Sequence, residues 1–145
     1  MEHLLKQLVQ NASDAILISD VEGVVRYWNC GAGLLFGYDA AEAVGQTLDL
    51  IIPENLRSRH WEGYRRVMAS GETKYKIGLL SSPGVRKDGS RISLEFSMVL
   101  LHNDDGSMAG CASVMRDISD RWKKEKELKE RLSACEARLA DACTA

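Results

Sequence analysis

Long apolar runs and an excess of charge of either sign are both missing from this sequence. Its longest apolar stretches, such as residues 15–18 and 99–101, are far shorter than the roughly 18 residues that a membrane span requires. Its 19 basic and 21 acidic side chains nearly cancel, which excludes the strongly basic surface that binds nucleic acid. The N-terminus also lacks a small-residue cleavage site after an apolar segment, so it is no secretion signal. We therefore expect a cytoplasmic protein that contacts neither membrane nor nucleic acid.

Cysteine is scarce and catalytic motifs are missing. The four cysteines are too scattered for a disulfide framework or a zinc site, so we expect free thiols: Cys30, Cys111, Cys135 and Cys143. The absence of Cys-x-x-Cys-His excludes covalent attachment of haem but leaves non-covalent binding open. Since Gly-x-Ser-x-Gly, His-Glu-x-x-His and phosphate-loop motifs are also absent, we expect that the chain itself is not an enzyme.

The 145 residues, 45% of them hydrophobic, suffice for one folded domain with a real core. Leucines at helical spacing predict an N-terminal helix over residues 2–10, and residues 20–23 (Asp-Val-Glu-Gly) predict a hairpin turn between two strands. Asn29 and Asp39 are typical N-caps of two short helices. Pro53 at a first-turn position and Gly71 as a terminator predict a longer helix over residues 54–70.

Three further strand-like segments follow this helix. They cover residues 73–80, 85–101 with an Asp88-Gly89 turn inside it, and 108–116. Between Ile92 and Leu100 apolar residues alternate with polar ones, so one face of the sheet is expected to be dry. The order of elements predicts an α+β fold, a five-stranded antiparallel sheet with short helices on one face.

The C-terminal tail has the pattern of a coiled-coil helix. Its apolar residues follow 4-3-4-3 spacing, the a/d seam of a coiled coil: Leu128, Leu132, Cys135, Leu139 and Ala142. This favours parallel dimerisation, although a single helix that packs back on its own domain would also fit. We divide the chain into an N-terminal helix (1–12), a central domain (13–118) and the amphipathic tail helix (119–145).

Several short motifs occur in a characteristic order along the central domain. They are Trp28-Asn29, Leu35-Phe36-Gly37-Tyr38, Glu42-Ala43-Val44-Gly45-Gln46, Arg86-Lys87-Asp88-Gly89-Ser90 and Met115-Arg116-Asp117-Ile118-Ser119. Together they resemble the PAS sensory domain over about residues 5–120. The resemblance implies a PAS fold whose curved sheet holds a ligand or packs against a partner. It also implies a C-terminal helix that carries the signal to a downstream output domain or protein, within a homodimer formed through the N-terminal and C-terminal helices.

A second set of motifs is more specific. Residues 51–54 (Ile-Ile-Pro-Glu), 57–60 (Arg-Ser-Arg-His), Tyr64 and Arg66 resemble the haem-binding PAS domains of FixL oxygen-sensing histidine kinases, and partly those of direct oxygen sensors of the phosphodiesterase type. In those proteins the histidine that matches His60 is the proximal iron ligand. The resemblance therefore implies a sensor that binds haem b without a covalent link. Arg66, and with less support Lys74, match positions that face the haem propionates.

Helical spacing gives independent support for this interpretation. His60 shares a face with Leu56, Gly63, Tyr64 and Val67, so its imidazole is expected to point inward. An apolar wall around such a ring favours burial of haem. The sheet is expected to supply the opposite wall: Leu80, Leu94, Phe96, Met98, Cys111 and Met115. A histidine in an ordinary core, with its hydrogen bonds satisfied, remains the alternative.

One departure from the family pattern concerns the ligand that is sensed. Leu80 lies where the family has a distal arginine, so no charged donor is expected to face a gas bound to iron. An apolar distal side stabilises bound oxygen poorly, which leaves O₂, CO, NO and a redox change all open as signals. Met98 is a conceivable sixth ligand but also fits as core filler.

Two alternatives to haem remain. Light-sensing PAS domains that bind flavin need a cysteine in an Asn-Cys-Arg-Phe-Leu-Gln motif after Val-Gly, and here residues 46–50 (Gln-Thr-Leu-Asp-Leu) follow Val44-Gly45 instead. We therefore expect no FMN photoadduct. The other alternative is a haem-free PAS module that dimerises or binds a small metabolite.

Overall fold

The fold is built from two strands, a group of short helices, one longer helix, three strands and a long final helix. A computed structural model describes residues 1–73 and 78–144. The helices are α1 (Glu2–Asn11), α2 (Cys30–Phe36), α3 (Ala40–Ala43), a 3₁₀ helix (Leu48–Leu50), α4 (Glu54–Ser70) and α5 (Ser119–Thr144). The strands are β1 (Ala15–Asp20), β2 (Val25–Trp28), β3 (Leu80–Val85), β4 (Arg91–His102) and β5 (Met108–Asp117).

The five strands form one antiparallel sheet in the order β2-β1-β5-β4-β3. The register pairs Leu17 with Ser113 and Phe96 with Met115, so the inward side chains of neighbouring strands lie side by side. Apolar residues on this inner face are buried together with Trp28 and Phe36, whose rings lie 5.6 Å apart. The predicted α+β fold, with helices over one dry face of the sheet, is confirmed.

The short helices are fixed by their caps. Asn29 is buried, its side-chain oxygen accepts from the backbone N–H of Ala32 at 2.9 Å, and its amide group donates to the carbonyls of Val9 and Asp14. Asp39 forms a capping box with Glu42. One buried side chain, Asn29, thus ties the end of α1 to β1 and α2.

Of the predicted strand over residues 73–80, residues 74–77 lie outside the described residues, Thr73, Gly78 and Leu79 are not in a strand, and Leu80 begins one. The strand that precedes the Asp88-Gly89 turn is β3, and it begins at Leu80. Its sequence, Leu-Ser-Ser-Pro-Gly-Val, reads as a loop because proline and glycine are rare in strands. β3 is however an edge strand, and proline is tolerated there because one side of the strand has no neighbour to which its N–H would donate.

Among the described residues, the hydrogen bonds and ion pairs between helix α5 and the sheet lie near the beginning of the helix. The backbone N–H of Ser93 donates to Ser119 Oγ at 3.0 Å, Arg121 pairs with Glu95, and Arg86 pairs with Asp117 just before the helix. The predicted seam is a row of exposed side chains that includes Leu128, Leu132 and Leu139. Among the described residues, no helix is long and apolar enough to cross a membrane.

Candidate functional site

Helix α4 faces the inner side of the sheet with one stripe of side chains. It runs over residues 54–70, as predicted, and Gly71 ends it with a left-handed φ of 69°. Leu56, His60 and Val67 are partly buried along this stripe, whereas Arg59 and Arg66 on the other side are exposed. The helix therefore presents His60 towards the interior.

The imidazole of His60 is half-buried and lacks a hydrogen bond on its shielded side. Its Nδ1 atom is inaccessible to solvent and has no hydrogen-bond partner. Burial lowers the pKa of His60 below its usual value, and the negative charge of Asp49 opposes this effect only in part. The ring is therefore neutral near pH 7, which is the form that coordinates metal ions.

Two aromatic rings of the same helix pack against this imidazole. The ring centroid of His60 lies 4.9 Å from that of Trp61 in an edge-on arrangement and 5.7 Å from that of Tyr64 in a tilted one. Trp61 and Tyr64 also contact each other edge-on at 5.6 Å. Such geometries suit aromatic quadrupoles. The histidine is thus part of a cluster of three rings.

Both neighbouring rings are hydrogen-bonded to other elements. The indole Nε1 of Trp61 donates to Asp49 Oδ1 in the 3₁₀ helix at 2.7 Å. The hydroxyl of Tyr64 lies 2.9 Å from Ser19 Oγ and donates to the carbonyl of Asp20, both in β1. Burial is the main reason why the pKa of Tyr64 rises to about 12, so this hydroxyl stays protonated.

The six sheet residues that the sequence predicts as a wall opposite α4 are Leu80, Leu94, Phe96, Met98, Cys111 and Met115. The strand register places these residues on one face, with Leu94, Cys111 and Met115 buried and with Leu80, Phe96 and Met98 only half-buried. Burial raises the pKa of the Cys111 thiol, so it remains an uncharged, apolar group. Gly63 on α4 has open space where a side chain would begin, since no atom lies within 4 Å of that position apart from its chain neighbours and the backbone of the helix itself.

The two residues predicted to meet propionates lie apart from this cluster. Arg66 is exposed and pairs with Glu62 one turn earlier on α4 at 3.5 Å. Lys74 lies outside the described residues. Two surface clefts, of about 350 and 700 Å³, flank α2, and α4 lines neither of them.

Sequence reasoning missed Trp61, Asp49 and Ser19 as parts of this site. Trp61 follows His60 directly and falls on a second partly buried row of α4 with Arg57, Tyr64 and Met68. This row could have been read from the i, i+4, i+7, i+11 spacing. The contacts with Asp49 and Ser19 could not, because they depend on where the helix lies relative to the sheet.

Comparison with known proteins finds a matching family model and relatives that are named as sensor proteins. Residues 9–123 match the family model described as PAS fold. The chain is 25% identical over 127 residues to the sensor protein FixL of Bradyrhizobium diazoefficiens, covering 87% of this chain and 25% of that protein. It is 32% identical over 91 residues to the oxygen sensor protein DosP of Escherichia coli, covering 63% of this chain and 11% of that protein. The chain thus spans a quarter or less of these relatives.

Solved structures agree on the fold. A PAS domain from Colwellia psychrerythraea superposes with a TM-score of 0.69 at 21% identity, covering 82% of this chain and 98% of that one. An RNA-binding light-oxygen-voltage receptor superposes with a TM-score of 0.76 at 23% identity, covering 92% of this chain and 37% of that one. At such identities the likeness shows the fold alone.

Proposed function

The chain belongs to the PAS-fold family of sensory signal-transduction domains, and we propose that it binds haem b through His60. In this proposal the domain senses a diatomic gas or a redox change and relays it through α5. No catalytic role of its own is assigned to it. The similarity to the sensor FixL and the oxygen sensor DosP supports the choice of haem.

One observation carries the proposal, namely the state of the His60 imidazole. A neutral ring with a shielded Nδ1 that has no hydrogen-bond partner lies on the partly buried side of α4. Buried polar atoms without partners are uncommon in folded proteins and call for a functional reason. Haem iron would supply a coordination bond to this ring and a one-electron redox couple.

The residues present fit haem better than a free metal ion. Within the described part of the chain, no group of three or more His, Cys, Asp or Glu side chains could hold a metal. A single imidazole is too few ligands for zinc or iron alone, so the metal must bring most of its ligands. A porphyrin does so, and the half-buried Leu80, Phe96 and Met98 offer an apolar surface for its ring.

Within the described residues, the sheet side of the site lacks a charged donor, and this affects which signal is expected. Leu80 begins β3 where the haem-binding family has its distal arginine. Bound oxygen gains more from a hydrogen-bond donor than carbon monoxide does, because it carries more negative charge on its outer atom. We therefore expect CO, NO or a redox change to be favoured over tight O₂ binding.

Signal output and dimerisation complete the proposal. The ion pairs Arg86–Asp117 and Arg121–Glu95 join the sheet to the start of α5, so a shift of the sheet can bias this helix. Leu4, Leu5 and Leu8 of α1 are exposed, as is the leucine row of α5. Burying both in a homodimer would remove this apolar surface from water.

Titration with hemin tests the proposal. We expect the wild-type chain to develop a Soret band that saturates at one haem per chain, and His60→Gln to lose it. His102→Gln, at an exposed position on β4, is the matched control and should bind like wild type. A wild-type chain without a Soret band, or an unchanged one in His60→Gln, would overturn haem binding through this residue. A parallel titration with FMN checks the flavin alternative.

A haem-free module is the second candidate, and the ring cluster favours it. Trp61, Tyr64 and Phe96 pack against the hydrophobic core and already occupy part of the space between α4 and the sheet. Such a domain would dimerise or bind a small metabolite. Failure of hemin to bind, together with dimerisation in sedimentation, would be the result that this candidate predicts.

A further inference from the structure

The orientation of the His60 ring has an unusual physical basis. Histidines that ligate metal nearly always donate their second ring N–H to a carboxylate or a carbonyl, and this bond fixes the ring. Nδ1 of His60 is shielded from solvent and has no such partner. The nearby carboxylate of Asp49 is engaged instead by the indole of Trp61 at 2.7 Å. Something other than a hydrogen bond must therefore hold the imidazole.

Packing against Trp61 and Tyr64 can hold the imidazole in place of a hydrogen bond, because these two rings are themselves anchored. Trp61 is held by Asp49 in the 3₁₀ helix and Tyr64 by Ser19 in β1, so two different elements restrain the rings that contact His60. Trp61 is further confined by Gly23, since a Cβ at that residue would come within 2.2 Å of the indole.

We propose that Trp61 and Tyr64 are positioning residues that fix the rotamer of His60 by ring contact, with Trp61 held in place by Asp49. This inference rests on the proposed function, because it assigns to these residues the role of aiming a metal-binding imidazole. It also deepens that function. The imidazole would be oriented by contacts with two aromatic rings in place of a hydrogen bond at Nδ1.

Side-chain NMR on the haem-free chain tests the clamp directly. The chain has three histidines, and His3 and His102 are exposed, so labelled histidine gives a spectrum simple enough to isolate His60. Three-bond couplings should report one dominant χ1 rotamer of His60 in the wild type. In Trp61→Leu, which keeps apolar bulk but loses the ring, the ratio of major to minor rotamer should fall about two- to tenfold, the range that an aromatic pair contributes.

Three further variants keep the test decisive. Trp61→Phe retains a ring but loses the indole donor to Asp49, so it should restore the rotamer preference only in part, to about the level of Asp49→Ala. Asp49→Ala keeps the Trp61 ring but removes its anchor, together with a long ion pair to Arg57 at 3.9 Å, and should reduce that preference even if Trp61→Leu does not fold. Trp122→Phe, at a half-exposed position of α5, is the matched control and should change nothing. A folded Trp61→Leu chain, or an Asp49→Ala chain, whose His60 keeps the wild-type rotamer ratio would overturn the clamp.

Resonance Raman spectroscopy of the hemin-loaded, reduced chain supplies a second reading. A single iron–histidine stretching band is expected in the wild type, and a broadened or split band in Trp61→Leu. An unchanged band in that variant would contradict the clamp while leaving haem binding intact. Absence of haem binding would refute the proposed function, and the rotamer measurement on the haem-free chain would still decide whether the clamp exists.

Discussion

The attachment of α4 to the sheet depends strongly on the hydroxyl of Tyr64, so Tyr64→Phe should destabilise the domain measurably. This hydroxyl lies 2.9 Å from Ser19 Oγ and donates to the carbonyl of Asp20. Ser19 is buried, with 2% of its surface exposed, so solvent cannot replace the lost partner. One net hydrogen bond contributes about 1 kcal/mol, and a buried hydroxyl left without a partner costs about 1–3 kcal/mol.

We therefore expect Tyr64→Phe to lower the free energy of unfolding by about 2 kcal/mol, seen as a fall of about 4–8 °C in melting temperature. Ser19→Ala should cost about 1 kcal/mol. Because both changes remove the same contact, the double variant should cost less than the sum of the two, by about 1 kcal/mol. Urea unfolding followed by circular dichroism measures all three.

Tyr38→Phe serves as the control. The hydroxyl of Tyr38 makes no hydrogen bond within the described part of the chain, and its ring lies below Lys87. This variant should stay within about 0.5 kcal/mol of wild type. The hydroxyl of Tyr64 would not anchor the helix if Tyr64→Phe also left the free energy of unfolding unchanged, or if the losses of stability in Tyr64→Phe and Ser19→Ala were simply additive.

Three further outcomes follow from the structure. The pKa of His60 is lowered in the folded state, so the unfolded chain binds more protons at low pH. The free energy of unfolding should therefore fall as the pH drops below about 6.5, and the urea midpoint of His60→Gln should fall less over the same pH range. Gly23→Ala should be more destabilising in thermal melts than Gly45→Ala, because both glycines have positive φ but only Gly23 lies against an indole ring; equal costs would contradict that contact. In a chain whose other exposed cysteines, Cys30 and Cys143, are changed to serine, mild oxidation should link two chains through Cys135 if α5 pairs in parallel, and adding Cys135→Ser should abolish the dimer band on a non-reducing gel.

Much of the fold could be predicted from the sequence because its signals are local. The caps at Asn29 and Asp39, and the termination of α4 at Gly71, each depend on residues within one helical turn. The placement of β3 could not be predicted, because Pro83 and Gly84 argue against a strand. Only the position of that strand at the sheet edge makes them acceptable.

In the candidate site, too, the features set by local sequence could be predicted and those set by packing could not. Periodicity along α4 was enough to place His60 on the inward face, since the 3.6-residue repeat determines which side chains share a face. The anchors of the ring cluster join residues 12 and 45 positions apart along the chain, Asp49 to Trp61 and Ser19 to Tyr64. Their pairing follows from the packing of α4 on the sheet, which no local pattern encodes.

Chemical rescue of the missing ring tests most directly whether the imidazole of His60 is the iron ligand. In His60→Gly the side chain is removed, and hemin added to this variant should lack the spectrum of the wild-type complex. Free imidazole should then restore the Soret maximum and the ferrous carbonyl spectrum of the wild type. A His60→Gly chain whose spectra match the wild type without added imidazole would contradict the account.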